Sequence, residues 1–251
     1  MVIIESMAEK KKLTSNPKKQ TASKKTAQLE TLLEMSAAVV SDRYIEEILQ
    51  LMVRMTADMM GSKICSIMML DESGQELEIR ATQALSQEYK SKPPLKVGQS
   101  ISGLAVKEKR PITALDVRKE PLYTYPEIAR KEGLVSMASI PMMIKDRVIG
   151  VLNSYTSTEH QFTPDELKVL QIVANQAAIA IENTKLFDRT IEMEEALKTR
   201  KAVERAKGIL MKEYGVSEDE AFKIMQRKSM NTRSSIREIA EAVILANEIK
   251  P

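Results

Sequence analysis

Apolar residues recur every three or four positions near both ends of the chain, whereas the middle follows a different pattern. Residues 27–60 have leucine, isoleucine, valine and methionine at this spacing and predict two helical pieces, the second ended by Gly61. We place the start of the second piece at Ser41 or Asp42, residue types that cap helices. Between 63 and 156 the apolar residues alternate with polar ones or form short runs, which is typical of β-strands. The pattern therefore predicts an α+β unit.

Two β-hairpins and one further strand are predicted in the middle of the chain. A short apolar run, the turn "DESG" and the alternating segment "QELEIRA" indicate the first hairpin. A second pair of strands follows near residue 140, and the intervening loop contains one short helix capped near Ser100. The predicted strands are 63–70, 75–81, 111–117, 136–144 and 147–156, and the short helix covers 100–110.

One helical pattern is longer than the others. Thr163 caps it, with Pro164 at the first helical position and a glutamate three residues after the cap. Neither glycine nor proline occurs from 165 to 207, so we predict a continuous or slightly kinked helix to Tyr214, of the kind that forms a coiled-coil stalk. Two helices with an ordinary break near Asp188 are the alternative.

The chain after residue 187 is helical throughout. Ser217 with Glu220 and Ser235 with Glu238 have the spacing of a capping box, in which each residue accepts a hydrogen bond from the other's backbone N–H. Gly215 is a helix stop. The three predicted helices cover 188–214, 218–229 and 236–249.

Composition limits the classes of function. Lysine and arginine number 38 against 35 acidic residues, a net charge of +3, so any surface for nucleic acid must be local. The single cysteine and single histidine, Cys65 and His160, permit neither a disulfide framework nor a convincing zinc site or Cys–His catalytic pair. We therefore predict neither a metal site nor an enzyme. His160 is expected in a surface turn, with a haem ligand or pH sensor as the alternative.

The first residues and the overall hydropathy bear on location. Residues 1–26 are polar and rich in lysine, and we predict a disordered basic arm, either a solubilising tail or an arm that binds nucleic acid. No run of 18 or more apolar residues occurs, so no membrane span is predicted. A single cysteine suits a reducing compartment, and we expect the protein in the cytoplasm.

A helical wheel divides the predicted helix 188–214 into a core face and a basic stripe. The core face consists of Val203, Ala206, Leu210 and Tyr214, and the basic stripe of Lys201, Arg205, Gly208 and Lys212. Glycine costs about 1 kcal/mol relative to alanine inside a helix, but it allows another backbone to approach closely. Nucleic acid, the third helix, a dimer partner or solvent alone can occupy such a face, and the stripe does not decide between them.

The junction predicted between the second and third helices extends this basic surface. It contains basic residues and short polar residues that are able to contact phosphates or base edges. These are Arg227, Lys228, Asn231, Thr232, Arg233, Ser234 and Ser235, with Arg237 one turn later. We assign Tyr214 and Phe222, the aromatic residues of this region, to the core, so extensive base stacking is not expected.

Residues 27–187 resemble a GAF domain. The matching segments are "LKVGQSISGLAVKEKRPI", "EGLVSMASIPM", "RVIGVLNSY" and "FTPDELKVLQIVANQAAIAIEN". The resemblance implies an antiparallel sheet with flanking helices, a role in sensing a small molecule or another signal, and dimers formed through the terminal helices.

A candidate ligand site lies in the segment that would cover the pocket of such a fold. Asp116, Tyr123 and Tyr125 place a carboxylate beside aromatic rings. Alternatively, the tyrosines pack the loop and Asp116 caps a turn. The Asn-Lys-Xaa-Phe-Asp-Glu pattern of cyclic-nucleotide GAF domains does not occur, and Cys65 lies in a predicted strand as a small buried apolar residue rather than as a bilin attachment site. The ligand and any cofactor stay unknown.

Residues 199–248 resemble an ANTAR domain, the three-helix RNA-binding module of transcription antiterminators, and we place this domain at 188–251. The matching segments are "VERAKGILMKEYGVSEDEAF" and "SMNTR". The resemblance implies a dimer that binds paired RNA hairpin loops and prevents a terminator from forming. It places Lys207, Gly208, Met230, Thr232 and Arg233 on or near the RNA surface. Two serines follow Arg233 where the family often has a basic residue and a proline.

These features together predict a cytoplasmic, homodimeric regulator of α+β fold with a three-helix bundle behind it. The GAF domain senses a small molecule or a partner protein, and the ANTAR domain binds nascent mRNA and promotes antitermination. The predicted RNA-binding residues are Lys201, Arg205, Lys207, Gly208, Lys212, Met230, Thr232, Arg233, Ser234 and Arg237. The alternatives are a GAF sensor with a helical protein-interaction module and a DNA-binding regulator.

Overall fold

The structure is a computed structural model that describes residues 17–39, 44–84 and 86–249. The chain divides into two compact units, Met1–Glu182 and Asn183–Pro251. No helix within the described ranges is both long and apolar enough to cross a membrane.

The first unit is built on one antiparallel sheet with helices on both faces. Its strands are β1 (Ile64–Leu70), β2 (Glu76–Thr82), β3 (Leu95–Lys96), β4 (Ile112–Ala114), β5 (Met137–Ile144) and β6 (Arg147–Tyr155). Its helices are α1 (Pro17–Val39), α2 (Ile45–Met60), α3 (Gln87–Lys90), α4 (Ile101–Glu108), α5 (Pro126–Glu132) and the first part of α6 (Pro164–Tyr214). The strand order is β3-β2-β1-β6-β5-β4, which places β1 and β6 at the centre.

Successive side chains of β1 divide between the two faces of the sheet, as the strand period of two requires. Cys65 and Ile67 are fully buried in the core that the sheet forms with α1, α2 and α6. Ile64 and Met68 belong to separate apolar clusters, which include residues of α4. The sheet therefore has two buried faces, and the face beneath α4 contains the cavity described below.

Both predicted hairpins are present, and so are the predicted caps of α4 and α6 and the helix stop of α2. Ser100 caps α4, accepting a hydrogen bond of 2.9 Å from the backbone N–H of Gly103. Thr163 and Glu166 form the predicted reciprocal pair before α6, with their N–H groups 2.8 and 3.3 Å from the partner's side-chain oxygen. Gly61 ends α2 in the left-handed conformation at φ 65°. These local signals act over a few residues, which is why they can be recognised without the fold.

Four short elements differ from the prediction. The segments that contain α3, β3 and α5 belong to the stretch between the two hairpins that was expected to be loop apart from the helix at 100–110 and the strand at 111–117. Strand β3 is defined by the pairs Glu76–Lys96 and Leu77–Leu95, and two residues are too few to carry a periodic signal in the sequence. The strand predicted at 111–117 shortens to β4, which pairs with β5 alone.

The amino-terminal prediction is tested only in part. Residues 1–16 lie outside the described residues, and α1 begins at Pro17, so residues 17–26 are helical rather than disordered as we predicted. Lysine, glutamine and alanine are good helix formers, and proline is well placed at a first helical position, so a polar composition does not prevent a helix here. Ser41 and Asp42, the predicted caps of α2, also lie outside the described residues, and Tyr44 occupies the cap position.

The second unit consists of the rest of α6 with α7 (Glu218–Thr232) and α8 (Ile236–Glu248). Helix α6 continues past Asp188 without a break, as predicted. Both predicted capping boxes are present, at Ser217 and Ser235. The core of the unit is small and combines all three helices through Val203, Ala206, Leu210, Ala221, Met225 and Ala240.

Candidate functional site

The basic stripe lies on the exposed side of α6, as the helical wheel predicts. Lys201, Arg205, Gly208 and Lys212 are all exposed. A Cβ atom built on Gly208 meets no atom of another element within 4 Å in the described chain. The chain's own third helix therefore does not approach Gly208, which removes one of the occupants considered for this face.

Carboxylates neutralise two of the predicted arginines. Arg205 forms an ion pair of 2.7 Å with Glu248 at the end of α8. Arg237 is half-buried and pairs with Glu195 on α6 and with Glu241, the latter at 2.7 Å. Exposed pairs of this kind contribute about 0–1 kcal/mol, so a phosphate is able to replace the carboxylate at Arg205 at little cost.

Lys207 is buried, unlike the stripe residues beside it. Only 8% of the residue is exposed, and its Nζ lies 2.8 Å from Glu204 and 2.5 Å from Glu218. Hydrogen bonds that Lys207 donates to Glu204 and Glu218 raise its pKa above the ordinary value, so the ammonium stays charged. Since Glu218 is the first residue of α7, Lys207 connects α6 to the start of α7 and is not displayed on the predicted RNA surface.

The junction between α7 and α8 displays the other predicted residues. Met230 is 66% exposed, and Thr232 is exposed while its hydroxyl donates to the carbonyl of Lys228 at 2.8 Å. The Ser234 carbonyl accepts a hydrogen bond from Ser229, which closes the turn. Arg233 ends α7 in the left-handed region at φ 55°, a conformation that is uncommon for residues other than glycine. Arg233 is exposed at this turn.

The expectation that Tyr214 and Phe222 lie in the core is wrong. Tyr214 is 68% exposed at the last position of α6, and Phe222 is 39% exposed on α7. Tyr214 follows the core spacing, but the helix ends there, so no later turn covers it. An aromatic ring is therefore available to a partner at the carboxyl end of α6.

The first unit contains a small cavity beneath α4. Its volume is about 20 Å³, enough for one water molecule. The Lys92 ammonium lies inside the ring of tyrosines that lines it, 3.7 Å from the centroid of Tyr89. Tyr123 and Tyr125, both predicted ligand-site residues, line the same cavity together with Tyr155. Sequence reasoning missed Tyr89, Lys92 and Tyr155.

Asp116, the third predicted ligand-site residue, does not line this cavity. Its carboxylate accepts hydrogen bonds of 2.7 and 2.8 Å from the Arg118 side chain and one of 3.0 Å from the Arg118 backbone. The Arg118 hydrogen bonds hold the pKa of Asp116 well below its ordinary range. The arrangement matches the alternative interpretation, in which Asp116 caps a turn.

The described residues contain no group of three or more His, Cys, Asp or Glu side chains that could hold a metal ion. Cys65 is fully buried, and burial raises the pKa of its thiol to about 12. His160 lies 3.1 Å from the Glu166 carboxylate and packs edge-to-face on Phe162, so it supports the start of α6.

The sheet flanked by helices and the three-helix unit that follows it in the chain define a two-domain architecture. Residues 42–182 match the GAF domain family, and residues 192–244 match the ANTAR domain family. The chain belongs to the GAF domain family, and an ANTAR domain follows its GAF domain. Both resemblances inferred from the sequence are confirmed.

Two curated relatives are regulators by name. The transcriptional regulatory protein PdtaR of Mycobacterium tuberculosis is 43% identical over 63 residues, which cover 25% of this chain and 31% of that protein. The aliphatic amidase regulator of Pseudomonas aeruginosa is 31% identical over 84 residues, or 34% of this chain and 42% of that protein. The chain thus spans less than half of the length of these relatives.

Solved structures show the fold of the first unit. The GAF domain of a phosphoenolpyruvate-protein phosphotransferase from Coxiella burnetii superposes with a TM-score of 0.59 at 22% identity, over 65% of this chain and 98% of that chain. A free methionine-R-sulfoxide reductase from Neisseria meningitidis, in complex with its substrate, gives 0.55 at 18% identity, over 64% and 93%. At such identities the likeness establishes the fold alone.

Proposed function

We propose that this chain is a signal-responsive regulator whose ANTAR domain binds hairpins in nascent mRNA and promotes transcription antitermination. The single observation that carries the proposal is the exposed basic surface of the second unit, within a domain of the ANTAR family. Lys201, Lys212 and Arg233 form no ion pair with any described residue, so their charges are available to phosphates. The regulator names of both relatives support the same function and speak against an enzyme.

The roles of the predicted residues differ under this proposal. Lys201, Arg205 and Lys212 contact the RNA backbone, and Gly208 lets that backbone approach the helix. Lys207 and Arg237 position α7 and α8 through their carboxylate partners. Met230, Thr232, Arg233 and Ser234 meet the RNA at the junction of α7 and α8. Tyr214 adds a stacking surface, which single-stranded loop bases favour.

A homodimer is part of the proposal. Exposed apolar residues follow one another on α6 at spacings of seven and four residues: Leu186, Met193 and Leu197, with Thr190 between them. This is the spacing of a coiled-coil seam, and a groove lined by Thr190, Met193 and Leu197 adjoins it. Two copies would present two basic surfaces to two hairpins, and signal binding by the GAF domain would shift the population of such dimers.

The structure offers less to a DNA-binding helix-turn-helix. Such a protein reads bases with side chains at the start of its recognition helix. At the start of α8, Arg237 is engaged by two glutamates, and Glu238 accepts two hydrogen bonds from Ser235 in the capping box. The RNA-binding surface therefore remains the better-supported proposal.

The test begins with a pool of RNAs that each carry two stem-loops with randomised loop sequences. RNAs that bind the wild-type protein are selected from this pool, and their affinities are then measured by filter binding. Affinity should fall steeply with salt, and Lys212→Ala should weaken binding and reduce the salt slope by about one. Lys223→Ala is the matched control, because Lys223 is an exposed lysine of α7 outside the predicted set. No salt-dependent binding to any stem-loop, or stronger binding to duplex DNA, would contradict the proposal.

A further inference from the structure

Four tyrosines surround the ammonium group of Lys92 in the GAF domain. The Lys92 Nζ lies 3.7 Å from the ring centroid of Tyr89, 5.8 Å from that of Tyr123, and 5.9 Å from those of Tyr125 and Tyr155. All four distances are within the range of cation–π attraction. We call Tyr89, Tyr123, Tyr125 and Tyr155 the tyrosine cage.

The rings hold one another in place. Tyr155 packs edge-to-face against Tyr89 and against Tyr123, with centroids 6.2 and 6.3 Å apart. The Tyr89 hydroxyl is 3.0 Å from that of Ser66, and the Tyr125 hydroxyl donates to the Pro93 carbonyl at 3.1 Å. The tyrosine cage is therefore formed by α3, β6 and the loop before α5, and hydrogen bonds and ring contacts hold its side chains in place.

The tyrosine rings of the cage present electron-rich faces to the Lys92 ammonium. Burial raises the pKa of Tyr123 to about 12 and raises those of Tyr89 and Tyr155 further, so the phenols stay neutral and present electron-rich faces. Lys92 forms no ion pair with a described residue. The Tyr123 hydroxyl is buried and has no hydrogen-bond partner in the described chain, so it offers a free polar atom to an entering group.

We propose that the tyrosine cage is a binding site for a small alkylammonium cation, and that the Lys92 ammonium occupies it in the absence of that ligand. On ligand entry the Lys92 side chain swings out to the adjacent open groove, which Glu88 and Glu127 line. The ligand therefore competes with an internal cation of the same chemistry. This deepens the sensing role of the proposed function by naming a ligand class, but binding to the cage does not require RNA binding.

The size of the site suits such a ligand. Beyond Cβ the lysine side chain has three carbons and a nitrogen, one heavy atom fewer than tetramethylammonium. The residual cavity of about 20 Å³ beside it has room for one further atom group of the size of water. Removal of the side chain beyond Cβ therefore leaves a cage of the right size.

The direct test is calorimetric titration of the full chain with choline. Lys92→Ala should bind choline at least tenfold more tightly than the wild type, because the competing ammonium is absent. The neutral isostere 3,3-dimethylbutan-1-ol should not bind at the same concentrations. Lys90→Ala is the matched control, since Lys90 is an exposed lysine of α3, and it should behave as the wild type does.

Three results would overturn the proposal. They are equal affinity of Lys92→Ala for choline and its isostere, no gain in choline affinity over the wild type, or binding of phosphate or acetate by the wild type that is lost in Lys92→Ala. If Lys92→Ala does not fold, Lys92→Gln replaces it. Tyr125→Leu, at the partly exposed edge of the cage, should remove most choline binding when combined with the lysine variant.

A second measurement compares the wild type with Lys92→Ala in their binding of tetramethylammonium, a cation whose charge does not depend on pH. Burial lowers the pKa of Lys92 to about 8 and raises the pKa of Tyr123 to about 12, so the Tyr123 phenol stays protonated between pH 7 and pH 9.5. The carboxylates that face Lys92 are Glu88, Glu127 and Glu132. The Lys131 ammonium lies at the same groove and forms an ion pair of 2.5 Å with Glu88. An expelled Lys92 regains its ordinary pKa of 10.5 and takes up a proton above pH 8, so ligand entry becomes less favourable as the pH rises. The affinity for tetramethylammonium should therefore fall more than tenfold between pH 7 and pH 9.5 and should stay constant in Lys92→Ala. An unchanged wild-type affinity would contradict the competition.

Discussion

The substitution Gly208→Ala separates the stability of the second unit from its proposed binding of RNA. Gly208 lies inside α6 and is exposed, and an added Cβ meets no atom of another element within 4 Å in the described chain. Alanine should therefore fit without any rearrangement. Because glycine inside a helix costs about 0.8–1 kcal/mol relative to alanine, we expect the variant to be more stable by about that amount.

The magnitude is measurable. In a unit of this size, 1 kcal/mol corresponds to a rise of about 4–8 °C in Tm for the transition that unfolds it. Circular dichroism melting of the wild type and the variant, at matched concentration because dimers raise Tm, gives the shift. Filter binding on the same preparations gives the change in affinity for stem-loop RNA, which we expect to fall about tenfold if the RNA backbone approaches Gly208 closely.

Gly150 in the sheet is a control at which alanine should lower the stability rather than raise it. At Gly150 on β6 an added Cβ would lie 2.2 Å from the backbone carbonyl oxygen of Met68, so Gly150→Ala should be destabilising by about 1–3 kcal/mol or more. If Gly208→Ala also lowers Tm, the open face inferred for α6 is wrong. If Gly208→Ala raises Tm and binds RNA as tightly as the wild type, the glycine has no role in RNA binding.

Three further predictions concern charged residues. Arg233→Gly removes an exposed charge and relieves a left-handed backbone, so RNA affinity should fall while Tm stays equal or rises. Lys207→Met leaves the Glu204 and Glu218 carboxylates without their partner and should lower both Tm and RNA affinity. If Glu218→Gln restores both in the Lys207→Met variant, then Lys207 does not contact the RNA directly. For Lys92, the folded pKa of about 8 lies below the ordinary 10.5, so the unfolded chain binds more protons between these values. The free energy of unfolding should therefore rise from pH 8 to pH 10.5 by up to about 3 kcal/mol relative to Lys92→Gln, as urea titrations at each pH would show.

Much of the fold follows from local sequence signals. The Ser217 and Ser235 capping boxes, the Gly61 helix stop and the alternation along β2 each need only a few neighbouring residues, and the structure has all of them. Strand β3 could not be predicted because its two residues are defined by pairing with a strand nearly twenty positions earlier.

The candidate sites were predictable only in part, because their chemistry depends on distant partners. The stripe on α6 follows from helix period alone, but Glu248 and Glu195, which pair with Arg205 and Arg237, are about forty residues away from them in sequence. The ion pair of Lys207 with Glu204 is an exception, because residues three positions apart are neighbours on any helix surface, and this pair could have been predicted from the sequence. The residues of the tyrosine cage come from three separate segments of the chain, so no spacing in the sequence predicts the cage.

The buried thiol of Cys65 has a practical consequence for the study of this protein in solution. It is the only cysteine of the chain, it is fully buried, and its pKa of about 12 keeps it protonated and unreactive near neutral pH. A cysteine introduced at an exposed position such as Met193 would then be the one thiol that a maleimide dye or a cross-linker modifies. Spectroscopic labels and inter-subunit cross-links can therefore be placed in an otherwise unaltered sequence, without first removing a native thiol.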